Sequence, residues 1–139
     1  MKDFRPIFDI DLQRHEVGAV SDHNQNNYAP KAIKKLEDIS GTKLRTKYIN
    51  SGVLLFNNKH IRTNGSFNDR LKELVRITKL GYEKHFEYID QDIANLLFDI
   101  TLMPDIYNRS CYRGVRPDDV FVHYLADGKA IFRRLMNEH

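Results

Sequence analysis

Three short polar clusters sit against strongly apolar segments of this 139-residue chain, and each holds side chains able to do chemistry. Asn50-Ser51-Gly52 falls in the first half of a branched and aromatic run, YINSGVLLF at residues 48–56. A carboxamide donates and accepts from one rigid group, so an asparagine presented where a strand bends suits a hydroxyl-rich ligand. The plainer reading is a bulge in which Asn50 satisfies the local backbone. Asp90-Gln91-Asp92 places two carboxylates around an amide at the start of an apolar-periodic segment. Oxygen groups of that kind cap a helix, hold sugar hydroxyls or ligate a hard cation, and capping is the plainer of the three. His123 follows the apolar run Val120-Phe121-Val122, with Lys129 six positions on. An imidazole leaving a buried strand can bind a transition metal, and a lysine across the next turn can neutralise phosphate. A lone strand histidine is otherwise structural.

The elements that must position these clusters alternate along the chain. Residues 16–20 read as a short strand, followed by a polar loop, SDHNQNN at 21–27. Residues 30–38 read as a helix with Ala32, Ile33 and Leu36 on one face and Lys31, Lys34 and Lys35 in water, stopped by Ser40-Gly41. Residues 48–56 read as a buried strand interrupted by a bend or bulge, its glycine allowing close backbone approach. After Asn64-Gly65, Ser66 is an N-cap candidate for a helix with Phe67, Leu71, Leu74, Val75 and Ile77 at helical spacing, ending near Gly81. Residues 90–100 read as a helix with Ile93, Leu96, Leu97 and Ile100 inward and acids at its start, where the dipole favours them. Residues 102–107 and 120–124 read as strands and 129–136 as a closing helix. The expected class is α/β, a mixed sheet with flanking helices in a single domain over 1–139.

Composition narrows the function classes. Apolar residues at 41% exclude a disordered tail, and no apolar run approaches the ~20 residues of a membrane-spanning helix. No signal-peptide pattern follows Met1, so the expected location is the cytoplasm. The single Cys111 cannot form an internal disulfide, which fits that compartment. A net charge of +3 permits nucleic-acid or anionic-membrane contact without requiring it.

Four segments in order, YINSGVLLFN (48–57), YIDQDIANLLF (88–98), LMPDIYN (102–108) and VHYLADGK (122–129), resemble the retaining glycosyltransferases of family 8. RPIFDIDLQRHEVGAVSD (5–22) resembles the stretch that follows that family's metal-binding acidic motif. The resemblance implies a nucleotide-diphospho-sugar transferase fold of the GT-A type, a UDP-sugar donor, a saccharide or glycan acceptor that can be lipid-linked, and a divalent metal, usually Mn2+. It also implies roles. Asn50 would contact the donor sugar, Asp90 would hold its hydroxyls, and Gln91 would lie near the anomeric carbon. His123 would ligate the metal, Lys129 would contact the diphosphate, and Asp22 would face the acceptor. The chemistry is coherent, because a departing diphosphate needs its charge neutralised while positive charge develops on the sugar.

Two departures from the pattern shape the expectation. Ala126, Ala130 and Ile131 stand where the family carries glycine, proline and tryptophan. The family's nucleotide-binding half, with its DxD motif, would precede Met1; Asp9-Ile10-Asp11 has the letters, but reads as exposed acids or a helix cap. The expectation is therefore the C-terminal portion of such an enzyme, truncated, inactive alone, and prone to self-association through exposed edges. The alternative is a non-catalytic sugar-binding or regulatory remnant. The lysines at 31, 34, 35, 43 and 47 with Arg45 suit nucleic acid less well than a solvated helix face, so no nucleic-acid partner is expected. IFRRLMNEH (131–139) could touch an anionic membrane peripherally.

Overall fold

The computed structural model describes residues 3–23, 29–41, 43–44 and 47–124. Lys129, the departures at 126, 130 and 131 and the expected closing helix lie outside the described residues.

Strand β1 (Val17–Ser21) is the centre of a three-stranded mixed sheet, antiparallel to β2 (Ile49–Phe56) on one side and parallel to β3 (Ile100–Leu102) on the other. Its side chains alternate between two covered faces, as a period of two requires. Val17 and Ala19 pack with Ile49, Ile100 and Ala94, the last from helix α4 (Ile89–Leu97). Val20 points the other way, onto Ile7, Met103 and Tyr107. Helix α1 (Ala29–Ser40) lies outside α4, where Ala29, Ala32 and Leu36 enclose Tyr48. A β-carbon on Gly18 would lie 2.6 Å from Leu12 and 2.9 Å from Met103 Sδ, so β1 passes too close beneath these side chains for any larger residue.

Among the described residues the strands expected over 16–20 and 48–56 and the helices expected over 30–38, 66–81 and 90–100 form, with changes at their ends. Helix α4 stops at Leu97 and Ile100 opens β3, whereas the apolar period ran the helix through 100. Phe98 is extended, and Glu16, buried just ahead of β1, accepts the Asp99 N–H at 2.9 Å and draws the chain out of the helix. The stretch expected as a strand over 102–107 is instead the end of β3 followed by a 3₁₀ turn, Asp105–Tyr107, which Pro104 precedes. Of the strand expected over 120–124, only β5 (Val122–His123) forms, parallel to β4 (Arg109–Ser110).

Helix α3 (Ser66–Lys79) begins where expected, but Ser66 is its first residue and not its cap. Gly65 holds that position at φ 71°, and Asn64 Oδ1 accepts the Ser66 N–H. Only Ile77 of α3 is buried, and Phe67, Leu71 and Val75 are exposed. A short helix not expected from the apolar pattern, α2 (Asn58–Thr63), is capped by Asn57 Oδ1 on the His60 N–H. Arg70 of α3 reaches the Glu16 carboxylate at 3.1 Å and ties this helical pair to the start of β1. Asp9 and Asp11 are exposed: Asp9 ends a 3₁₀ helix over Arg5–Asp9, Ile10 is extended, and Asp11 Oδ1 accepts the Gln13 N–H of the turn that follows. No helix among the described residues is long and apolar enough to cross a membrane.

Candidate active site

The candidate residues meet where β1 and β2 part. Ala19 pairs with Leu54, but the next residue, Val20, pairs with Asn50, so residues 51–53 are extra on β2. This is the bulge that the internal glycine signalled. It aims Asn50 at Asp22, which follows the end of β1, and leaves Ser51 and Gly52 against the first turn of α4 and the β4–β5 pair.

Asp22 is buried and collects two carboxamides. Asn50 Nδ2 and Gln91 Nε2 each donate to Asp22 Oδ2 at 3.2 Å. Because Nδ2 of Asn50 faces a carboxylate, its Oδ1 must face the other side. There it accepts from the Gly52 N–H at 2.9 Å, Asn108 Nδ2 at 2.8 Å and His123 Nδ1 at 2.9 Å. A carbonyl oxygen cannot donate, so His123 carries its proton on Nδ1 and presents Nε2 as a lone pair, with no partner among the described residues. Burial, helped by the neighbouring His23, pushes the His123 pKa below the ordinary histidine value despite the opposing Asp22 and Asp90 carboxylates. The imidazole is therefore neutral and correctly tautomeric for ligation.

Gly52 makes this approach possible. A β-carbon there would lie 2.6 Å from His123 Nδ1, 2.8 Å from its Cε1 and 2.9 Å from Asn108 Oδ1. The β4–β5 pairing sets the opposite wall by holding Ser110 beside His123. His23, Asn108, Ser110 and His123 line a polar hollow of about 10 Å³, enough for about one water.

The acidic cluster on α4 splits into three jobs. Asp92 is buried and takes the Tyr48 hydroxyl together with the N–H groups of Glu87 and Tyr88, so it fixes the chain entering α4, whose N-cap residue Tyr88 makes no side-chain cap bond. Gln91, also buried, accepts the Ser51 N–H on Oε1 while donating to Asp22. Asp90 is exposed and accepts the Ser51 hydroxyl on Oδ2 at 2.6 Å, and its Oδ1 has no partner among the described residues. One turn on, Asn95 bonds both the N–H and the C=O of Ile49, fixing the helix against β2.

Five of the six sequence candidates, Asp22, Asn50, Asp90, Gln91 and His123, thus belong to one hydrogen-bonded and electrostatic group; Lys129 lies outside the described residues. Asn108, Tyr48 and Asn95 were not singled out, although Asn108 closes the LMPDIYN segment and Asn95 lies four residues after Gln91 on the same helix face. As a metal centre the group is partial. His123 offers one well-formed nitrogen, and no set of three or more His, Cys, Asp or Glu gathers to hold an ion among the described residues.

The sequence profile of Glycosyl transferase family 8 matches residues 1–130. No curated protein matches the chain in a direct sequence search. Among solved structures, the galactosyltransferase LgtC in complex with donor and acceptor sugar analogs is 21% identical; the match covers 93% of this chain and 43% of that one, with a TM-score of 0.56. An active-site mutant of LgtC, a glutamine replaced by glutamate, is 20% identical over 99% of this chain and 57% of that one, with a TM-score of 0.58. The bifunctional glycosyltransferase WbbM in its apo form is 16% identical over 96% of this chain and 25% of that one, with a TM-score of 0.60. At these identities the likeness is one of fold, and the chain spans between a quarter and just over half of those structures.

Proposed function

The chain belongs to glycosyl transferase family 8, and on that premise we propose that it is the sugar-facing, C-terminal portion of a retaining hexosyltransferase, moving glucose or galactose from a UDP-sugar to a saccharide or glycan acceptor. The observation that carries this reading is the first turn of α4, where exposed Asp90 and buried Gln91 both reach the bulge of β2 beside the Asn50–His123 pair. Asp90, one carboxylate oxygen of which has no partner among the described residues, is the group suited to hold donor hydroxyls. Gln91 keeps one amide hydrogen and one lone pair beyond its two protein bonds, enough to stabilise developing charge at the anomeric carbon without attacking it. LgtC has a glutamine in its active site, the residue exchanged in the mutant structure, which supports that assignment. Asn50 and Asp22 act from behind as an orienting pair, since their polar atoms are already engaged.

His123 fits one position of a divalent metal such as Mn2+, with Lys129 proposed to meet the diphosphate. Such a metal supplies charge neutralisation of the leaving diphosphate. The single nitrogen found among the described residues is too few ligands for this ion, so its other ligands would come from elsewhere. That sparse donor set supports a second reading, in which this chain binds sugar and turns over none.

One experiment separates the two. Saturation-transfer NMR with galactose, glucose and their UDP forms should show hexose contacts that disappear in Asp90→Ala. Absence of any hexose signal sinks the sugar-site reading altogether. A hydrolysis and transfer assay with Mn2+ then decides within it: turnover lost in His123→Ala selects the complete transferase, and binding without turnover selects the sugar-binding chain.

A further inference from the structure

We propose that the groove between α1 and the 3₁₀ turn Tyr82–His85 binds an anionic group, the phosphate of a phosphorylated saccharide. The saccharide part of this inference rests on the sugar-transfer reading above; the anion part rests on the groove alone.

Two adjoining hollows, of about 460 and 140 Å³, share Lys31, Lys35 and His85 in their walls. The larger has the size of a small-molecule site. Lys34 also reaches it, but its ammonium is bonded to Asp38 at 2.8 Å and its charge is met within the helix. Lys31 and Lys35 have no ion-pair partner among the described residues. Four residues apart, they stack on one face of α1 as a like-charge pair, an arrangement that weakens a helix unless an anion lies between them. His85 closes the opposite side with a ring nitrogen able to donate, and Tyr82 adds an aromatic wall.

The smaller hollow adds carboxylates to those shared cations. Buried Ala32 and Leu36 line it together with Glu87 and Asp92. Asp92 is consumed by Tyr48 and two backbone N–H groups, but Glu87 is exposed and has no partner among the described residues. A bare phosphate ion in the smaller hollow would meet a repelling carboxylate as well as the cations. A sugar phosphate satisfies both, its dianion between Lys31, Lys35 and His85 and its hydroxyls donating to Glu87.

The test is a low-salt NMR and calorimetric titration of the 139-residue chain with glucose 6-phosphate, glucose and inorganic phosphate. Glucose 6-phosphate should bind saturably, shifting the amides of residues 31, 35 and 85. The double variant Lys31→Ala/Lys35→Ala, exposed positions whose loss leaves the circular dichroism unchanged, should weaken it by about tenfold or more. Inorganic phosphate binding as tightly as the sugar phosphate, shifts that survive the double variant, or no saturation would each overturn the proposal. Asp90→Ala separates the two inferences: if free hexose contacts survive in it while the groove responds as stated, the transfer site is misassigned and the groove stands.

Discussion

Replacing Gly52 with alanine tests the geometry of the site through one atom. The added β-carbon would stand 2.6 Å from His123 Nδ1, whereas ordinary van der Waals contact begins near ~3.5 Å. The ring must therefore withdraw by roughly 1 Å, which stretches the 2.9 Å bond to Asn50 Oδ1 beyond hydrogen-bonding distance. Neither neighbour yields cheaply, because Asn108 is buried and bonded to the same oxygen. No positive φ is involved at this glycine, so the penalty is steric. Overpacking costs about 1–3 kcal/mol, and the stiffer unfolded chain offsets about 0.4–1 kcal/mol, leaving a net loss of about 1–2 kcal/mol in urea unfolding. The more decisive readout is the tautomer, measured from long-range nitrogen–proton couplings of the imidazole. The parent chain should show the proton on Nδ1; in Gly52→Ala the ring, no longer held, should populate the Nε2–H form as well. A variant that keeps the Nδ1–H form and full stability would refute the claim that Gly52 exists to admit His123.

Two further predictions follow from the buried groups. The His123 pKa is lowered in the folded chain, so between its folded value and the ordinary 6.5 the unfolded chain binds more protons. Its contribution is therefore complete above pH 6.5 and fades as pH falls toward the folded pKa. A titration of the ring proton with a midpoint at or above 6.5 would contradict this. Tyr48→Phe removes the hydroxyl that the buried Asp92 accepts, at a cost of about 1.5–3 kcal/mol. The urea midpoint should drop with an unchanged slope, and a loss under about 0.5 kcal/mol would show that the two N–H groups suffice for Asp92.

The parts of the fold legible in the sequence are those where local chemistry and tertiary demand agree. The bulge on β2 was readable because a glycine inside an apolar strand has few other uses, and the apolar stripes of α1 and α4 are short-range patterns. Where the two demands conflict, tertiary contact prevailed. Ile100 continues the helical period of α4, yet Glu16 takes the Asp99 N–H from 83 residues away and the chain leaves the helix. Ser66 has the character of a cap, but Asn64 and Gly65 finish that task one step earlier. In the site, each residue type was visible and its allotment was not. Asp90, Gln91 and Asp92 are neighbours in sequence, and only the position of Tyr48 under α1 and of Ser51 on the bulge decides which fixes the entry to the helix, which braces and which faces solvent.

That allotment makes Asn50 the residue on which the site turns, and its chemistry can be tested by exchanging one atom. Its Oδ1 already receives three donors and its Nδ2 donates to Asp22, so little of it remains to meet a sugar. In Asn50→Asp the oxygen facing Gly52, Asn108 and His123 is kept, while an oxygen replaces the amide nitrogen 3.2 Å from Asp22 Oδ2. Two carboxylates at that distance repel by on the order of 5 kcal/mol at an effective dielectric constant near 20, and the pair relieves this by holding a proton. The new carboxyl then has a folded pKa raised above its unfolded value of about 3.9. The sign is the reverse of the usual carboxylate case: the variant is close to the parent in stability below about pH 4 and loses ground as pH rises. By pH 7 the deficit should reach roughly 3 kcal/mol. Urea unfolding of parent and variant at pH 4 and pH 7 measures it directly. A difference that does not grow with pH would mean that Asn50 does not face Asp22 through its amide, and the tautomer assigned to His123, which depends on that orientation, would fall with it.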